Sequence, residues 1–284
     1  MTTKEGKQMR GRTDWLEILV HCRDNVRACI KPYLKDFGKR QPDLGQGAGG
    51  DPMKPVDLAA ERAIIETLQQ HEVSYTLISE ESGVKEFGEK PKTFYVTVDP
   101  IDGTTNLVRG LPFYASSIAI SSAPVLSSVF AGLVADLVHD TTYTALEGKG
   151  AFRDGEKITS SKTSSLDDAV LGLDLNTYRV KSIVPQLTDL IEKTRHIRHF
   201  GANALELCYV ADGLTDAFVD IRGKLRPTDV AAALFILKEA GGKVTTHTGE
   251  MFDVRLDPTE KIKFVASGNK QIHETILSLV NSKC

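Results

Sequence analysis

Short apolar strands alternating with amphipathic helices in both halves of the chain predict a layered α/β protein whose two lobes meet at a cleft. Three observations carry this reading. The first half sets two helices ahead of a run of strands that closes with an Asp154-Gly155 hairpin turn. The second half restarts with a strand near Ala169 and again alternates strand and helix. A length of 284 residues is enough for two lobes, divided here into residues 1–165 and 166–284.

The first helix is expected from about Thr13 to Phe37. Asp14 with Glu17 three residues on resembles a capping box, and Trp15, Leu19, Cys22, Val26, Ile30 and Tyr33 recur at helical spacing. Pro32 should kink or end it. A glycine-rich loop follows from Gly38 to Pro55; Asp57 then opens a second helix with Ala60, Ile64, Ile65 and Leu68 as its apolar stripe. Strands are expected at Tyr75–Ser79 and Thr93–Val98, then at Phe113–Ser122, Val129–Val138 and Thr141–Leu146 in an antiparallel sheet. The second lobe should hold strands near Ala169–Leu175, Ala217–Ile221 and Lys263–Ala266. Its helices are expected over Lys181–Thr194, from Gly201 to Asp212, from a Thr228 cap to Gly241-Gly242, and over Gln271–Val280.

Composition narrows the function classes. A net charge of −3 supplies no broad basic surface, so nucleic acid is a poor partner. Apolar runs such as Val125–Val138 are interrupted by Ser, Gly and Asp, so no membrane span is expected. The first twelve residues are polar and charged, without the apolar core of a signal peptide, which makes a cytoplasmic location the expectation. Cys22, Cys29, Cys208 and Cys284 are scattered without zinc spacing and read as buried or incidental thiols.

The chemistry concentrates at Asp99-Pro100-Ile101-Asp102-Gly103-Thr104-Thr105-Asn106. Two acids three apart after a strand converge if the chain turns between them, and with the Ile101 carbonyl they suit a hard, oxygen-seeking cation. The Gly-Thr-Thr-Asn run that follows offers backbone N–H groups and hydroxyls to an anion if it starts a helix. Acid ligands beside an anion cradle suit phosphoryl transfer by metal-activated water. Glu80 and Glu81 follow the preceding strand, and one of the two is a plausible bridging ligand. Asp229 sits in the first turn of an apolar helix and reads as a ligand or as an acid favoured by the helix dipole. Asp57 follows the glycine loop, itself either a flexible linker or a mobile active-site loop, and reads as a metal ligand, a base or a helix-start acid.

These segments together resemble the inositol monophosphatase family. The resemblance runs from Asp57 to Gly268 and is carried by ISEESG (Ile78–Gly83), VDPIDGTTN (Val98–Asn106), GKGAFRDGEKI (Gly148–Ile158), FGANALELCYVADGLTDAFVD (Phe200–Asp220) and TDVAAALFILKEAGG (Thr228–Gly242). It implies a five-layer α/β/α/β/α sandwich, a homodimer, and two or three Mg2+ ions with Mn2+ as substitute. Glu80, Asp99, the Ile101 carbonyl, Asp102, Asp229 and Asp57 would hold the ions. Thr104 would activate the attacking water, with Glu80 or Asp57 accepting its proton, and Gly103, Thr104 and Thr105 would hold the phosphate.

By the same resemblance, Asp102, Asn203 and Asp229 would line the substrate site, with Arg198 and Arg222 nearby as candidates for a second phosphate. The form GGDPMKPVD of the glycine loop is closest to archaeal members that accept both inositol phosphate and fructose 1,6-bisphosphate. The expected activity is therefore phosphoric monoester hydrolysis of inositol 1-phosphate, fructose 1,6-bisphosphate or both. The alternatives are a 3'-phosphoadenosine 5'-phosphate phosphatase, for which no adenine shelf is evident, and a non-catalytic regulatory protein on the same fold.

Overall fold

The structure, a computed structural model, describes residues 13–35, 42, 44–89, 93–176, 178 and 183–282. Helix α1 (Trp15–Ile30) begins where the Asp14 carboxylate accepts the Glu17 N–H at 3.1 Å, and it buries Trp15, Leu19, Cys22, Val26 and Ile30. It is shorter than expected: Pro32 breaks it after Ile30, and Tyr33–Lys35 continues as a single 3-10 turn. Helix α2 (Pro55–Gln70) starts two residues before Asp57. Pro55, with its fixed φ and missing N–H, takes the first helical position and makes Asp57 the third.

The first sheet contains β1 (Tyr75–Ser79), β2 (Gly83–Phe87), β3 (Phe94–Asp102), β4 (Ala115–Ser121), β5 (Val129–Asp136), β6 (Thr142–Leu146), β7 (Gly150–Arg153) and β8 (Glu156–Ile158). Helix α3 (Thr104–Arg109) lies between β3 and β4. The strand order is β2-β1-β3-β4-β5-β6-β7-β8, with β1 and β3 parallel and the other pairs antiparallel. Asp154 and Gly155 take positive φ of 50° and 85°, as a two-residue hairpin turn requires.

The second sheet is built from β9 (Val170–Leu173), β10 (His196–Arg198), β11 (Ala217–Asp220), β12 (Lys243–Thr246) and β13 (Phe264–Ser267), in the order β10-β9-β11-β13-β12. Its helices are α4 (Ile183–Lys193), α5 (Asn203–Ala211), α6 (Pro227–Glu239) and α7 (Lys270–Val280). Sequence reading passes over β2, β10 and β12. The first is largely exposed, the second has three residues and the third is only half-buried, so none shows a clear apolar pattern.

The layers follow from which faces are apolar. Helices α1 and α2 cover one face of the first sheet, burying Leu19, Val26, Ile64 and Leu68 against Val96, Ile118 and Leu133. Helices α4 and α7 cover the outer face of the second sheet through Leu187, Leu190, Ile272 and Ile276. Between the sheets lie α5 and α6, and every residue of α6 from Pro227 to Leu237 is buried. A helix apolar all round must be enclosed, and α6 is. Gly132 on β5 lets it approach: a Cβ there would stand 3.3 Å from the Ala232 carbonyl oxygen. The result is the α/β/α/β/α sandwich. Residues 159–169 join the two sheets. Among the described residues, no helix is long and apolar enough to cross a membrane.

His273 on α7 is fully buried, with its ring nitrogens 2.7 Å from Ser267 Oγ and 2.9 Å from Thr245 Oγ1. Burial, aided by Lys243, pushes its pKa down from 6.5 to about 4. The folded state thus binds fewer protons than the unfolded chain in this range. The contribution of His273 to stability should be complete above pH 6.5 and be lost as pH falls from 6.5 toward 4. Urea midpoints of wild type and His273→Gln should therefore converge across that interval; parallel pH profiles would contradict the assignment.

Candidate active site

Two helix starts of the same local design face the end of β3. Lys54-Pro55-Val56-Asp57 and Arg226-Pro227-Thr228-Asp229 each place a basic residue at the N-cap, proline at the first turn and aspartate at the third helical position. The two N-caps have nearly identical backbones, φ −115° with ψ 158° and φ −115° with ψ 159°. In each, the aspartate accepts the N–H of its cap residue, at 2.8 Å from Lys54 and 2.9 Å from Arg226. The cap of α6 is therefore Arg226 rather than Thr228, whose hydroxyl instead donates to Asp229 at 3.1 Å.

Strand β3 carries Asp99 and Asp102 past the sheet's regular register. Its pairing with β4 shifts between these residues, the bulge that Pro100 imposes, and both carboxylates end up buried. Glu80, one residue beyond the parallel strand β1, completes the convergence with Asp229. Carboxylate oxygens of Glu80, Asp99 and Asp229 all lie within 4.8 Å of one another. Asp99 Oδ1 is buried and has no hydrogen-bond partner among the described residues. An all-oxygen donor set with an orphaned buried carboxylate oxygen fits a hard divalent cation.

Asp102 has a different neighbourhood. Its Oδ1 accepts the Asn203 N–H at 3.0 Å and its Oδ2 the Ala204 N–H at 2.7 Å, so it sits on the N-terminus of α5 and ties the two halves of the chain together. Gly103 follows with φ 86°; a Cβ there would press on Ala202 Cβ and the Gly201 carbonyl oxygen, both 3.1 Å away. Thr104 then opens α3. Its hydroxyl lies 2.9 Å from Asp57 Oδ1 and 2.9 Å from the Ile101 carbonyl oxygen, which compete for its one proton. Thr105 is exposed in the first turn of α3.

Burial dominates the electrostatics. It raises Asp57 to about 6, Asp102 to about 7 and Glu81 to about 8, and holds Glu80 and Asp99 well above the carboxylate range. Neighbouring carboxylates raise Glu80 and Asp99 further, while Arg226 opposes this. The Arg226 guanidinium bonds Asp229 at 3.0 Å and Glu80 at 2.5 Å. Burial alone would lower its pKa, but Asp229, Glu80 and Asp51 raise it. Arg226 is assigned no role by the sequence alone. The signal that marks it is its place three residues before Asp229, matching Lys54 before Asp57.

The specificity candidates divide. Asn203 stands at the seam, its backbone on Asp102. Arg222 is buried and already balanced by Asp220, at 2.5 Å, and by Asp174. Arg198 is exposed at the edge strand β10, and its Nη1 donates to the neighbouring Ile197 carbonyl. Beside Arg222 opens a cavity of about 450 Å³ also lined by His247, Lys261 and Lys263. The charges of Arg226, Asp229, Asp51 and Glu80 reach Lys261 on its lining.

The profile of the inositol monophosphatase family matches residues 14–283. A fructose-1,6-bisphosphatase/inositol-1-monophosphatase of Methanothermobacter thermautotrophicus is 36% identical over 274 residues, covering 93% of this chain and 95% of that one. A bifunctional NADP phosphatase/NAD kinase of Methanococcus maripaludis is 32% identical over 290 residues, covering 95% of this chain and 50% of that protein. Among solved structures, an inositol monophosphatase-fructose 1,6-bisphosphatase superposes with TM-score 0.82 at 29% identity, over 94% of this chain and all of that one. A Thermotoga maritima inositol monophosphatase gives TM-score 0.76 at 28% identity, over 95% and 98%. The layered fold, the convergent acids and these likenesses agree: the chain belongs to the inositol monophosphatase family.

Proposed function

We propose that this protein is a Mg2+-dependent phosphomonoesterase acting on inositol 1-phosphate, fructose 1,6-bisphosphate or both. As a member of its family it is a phosphoric monoester hydrolase. The observation that carries the reading is the convergence of Glu80, Asp99 and Asp229 within 4.8 Å, next to the Thr104–Asp57 pair. Glu80, Asp99 and Asp229, with Asp102 and the Ile101 carbonyl, would hold a divalent ion, which when bound would supply positive charge to the phosphoryl oxygens and lower the pKa of a water.

The protein's own groups do the rest. The backbone N–H groups of Gly103, Thr104 and Thr105, at the start of α3, take the phosphate oxygens. The Thr104 hydroxyl orients the attacking water and passes its proton toward Asp57. The 2.9 Å Thr104–Asp57 bond favours Asp57 over Glu80 as proton acceptor, since a Glu80 oxygen is already engaged by Arg226. Asn203 and the cavity beside Lys261 receive the body of the substrate. The dual-specificity relatives support a sugar bisphosphate, and the NADP phosphatase relatives add a nucleotide to the substrates worth testing.

Thr104→Val should lower kcat by roughly 10²–10⁴-fold with little change in KM, measured as phosphate release. Equal activity would remove Thr104 from the mechanism. Inositol 1-phosphate, fructose 1,6-bisphosphate, 3'-phosphoadenosine 5'-phosphate and NADP, assayed side by side with Mg2+, should show turnover of the first two. Lys261→Ala should then raise KM for the bisphosphate more than for the monophosphate; equal effects would place the second phosphate elsewhere. Arg222→Ala is the poorer probe, because it strands Asp220 and Asp174 in a buried site.

Metal removal has a pH signature. The raised pKa values mean that the metal-free folded state binds more protons than the unfolded chain. Stability from these acids is thus complete below their ordinary values and lost as pH rises through about 6 for Asp57, 7 for Asp102 and 8 for Glu81. Chelated protein should therefore melt at progressively lower temperature from pH 5 to 8, and added Mg2+ should raise Tm more at pH 8 than at pH 5. A Mg2+ effect independent of pH would contradict it.

A further inference from the structure

The Arg226 guanidinium touches three separate pieces of chain. It holds Asp229 and Glu80, and its Nη1 also reaches the Gly49 carbonyl at 2.8 Å and the Asp51 carboxylate at 2.9 Å. The side chain is 7% exposed, so a long, flexible cation is fixed at every donor position it presents to these groups.

The glycine loop is shaped to meet it. Its described part folds back on itself through Gly47 N–H to Asp51 O at 3.0 Å and Met53 N–H to Gly45 O at 2.9 Å. It then lies along the end of β1, donating from Ala48 N–H to Glu81 O at 2.9 Å and from Gly49 N–H to Glu80 O at 2.8 Å. A side chain at Gly49 would overlap the guanidinium and come within 3.1 Å of Glu80 Cγ. Glu80 is therefore gripped twice, through its carbonyl by the loop and through one carboxylate oxygen by Arg226, leaving the other oxygen for the cluster.

We propose that Arg226 is a positioning residue that clasps the glycine loop onto the acid cluster, so that seating of the loop and capture of the ion are one coupled event. This rests on the reading of Glu80, Asp99 and Asp229 as ion ligands and adds what aims them. The clasp also fixes the chain entering α2, and so the carboxylate of Asp57. Orientation by such outer contacts governs affinity, because a carboxylate free to rotate loses entropy on binding an ion.

Hydrogen exchange on the metal-free full chain and calorimetric titration with Mn2+ test the two halves of this idea. In Arg226→Met, exchange at the Ala48 and Gly49 amides should quicken by about tenfold or more while the amides of β1 and β3 hold. The Mn2+ dissociation constant should rise roughly 10–100-fold. Arg226→Lys, which keeps the charge and loses the fork, should recover part of the affinity without restoring the loop's protection. Should Arg226→Met fail to fold, Gly49→Val presses on the same contact from the loop and should give both changes. Unchanged loop exchange, or Mn2+ binding that is unchanged or tighter in the folded variant, overturns the clasp. Wild-type protein that takes up no Mn2+ overturns the ligand reading instead, and the exchange data then judge the clasp alone.

Discussion

The concentration of buried carboxylates at the seam between the two sheets is the constraint on which the rest depends. Asp57, Asp99, Asp102 and Asp229 are each 4% exposed or less, and Glu80 is only partly exposed beside them. Charges in such a place are costly unless compensated, because burial removes water without removing mutual repulsion. The fold compensates in distinct ways. Helix N-terminal amides receive Asp102, cap amides receive Asp57 and Asp229, and Arg226 bonds Asp229 and Glu80. Asp99 keeps an oxygen without such support. That uncompensated remainder is what a bound cation would satisfy in the proposed reading.

The same arrangement explains why the central layer is so apolar. Helix α6 carries Asp229 at its start and must reach the end of β3, so its body has to pass between two sheets. Val230 to Leu237 supply an unbroken apolar surface for that passage, and Gly132 removes the side chain that would hold the helix off. The site and the core are thereby one problem: packing that fixes α6 also fixes the Asp229 carboxylate at its tip. Asp102 serves in both, since its bonds to α5 join the first sheet to the central layer while its charge faces the cluster.

Much of this was legible in the residues. Amphipathic α1 and α2, the strands that end in Glu80 and Asp99, and the antiparallel run through Leu146 each announce themselves by period and by punctuation. The acids were found because they follow strands or open helices, positions where a carboxylate projects from a fixed point. Less legible were the strands whose exposure or brevity erases the pattern, β2, β10 and β12. The start of α6 was misplaced at Thr228 because a hydroxyl is the better cap by preference; Pro227, which cannot donate and has a fixed φ, claims the first helical position and moves the cap to Arg226.

By itself, the sequence determined the element types, the layered class and the acids of the Asp99–Asn106 segment, because local sterics and periodicity act over a few residues. Tertiary structure decided which charges meet. Arg222, Arg226 and Arg198 look alike as residues, yet the first is neutralised by Asp220 and Asp174, the second lies among the ligand candidates, and the third points away at a sheet edge. Glu80 and Arg226 are 146 residues apart in the chain and bonded at 2.5 Å. No local rule fixes such a distance; it follows from the stacking of two sheets around α5 and α6.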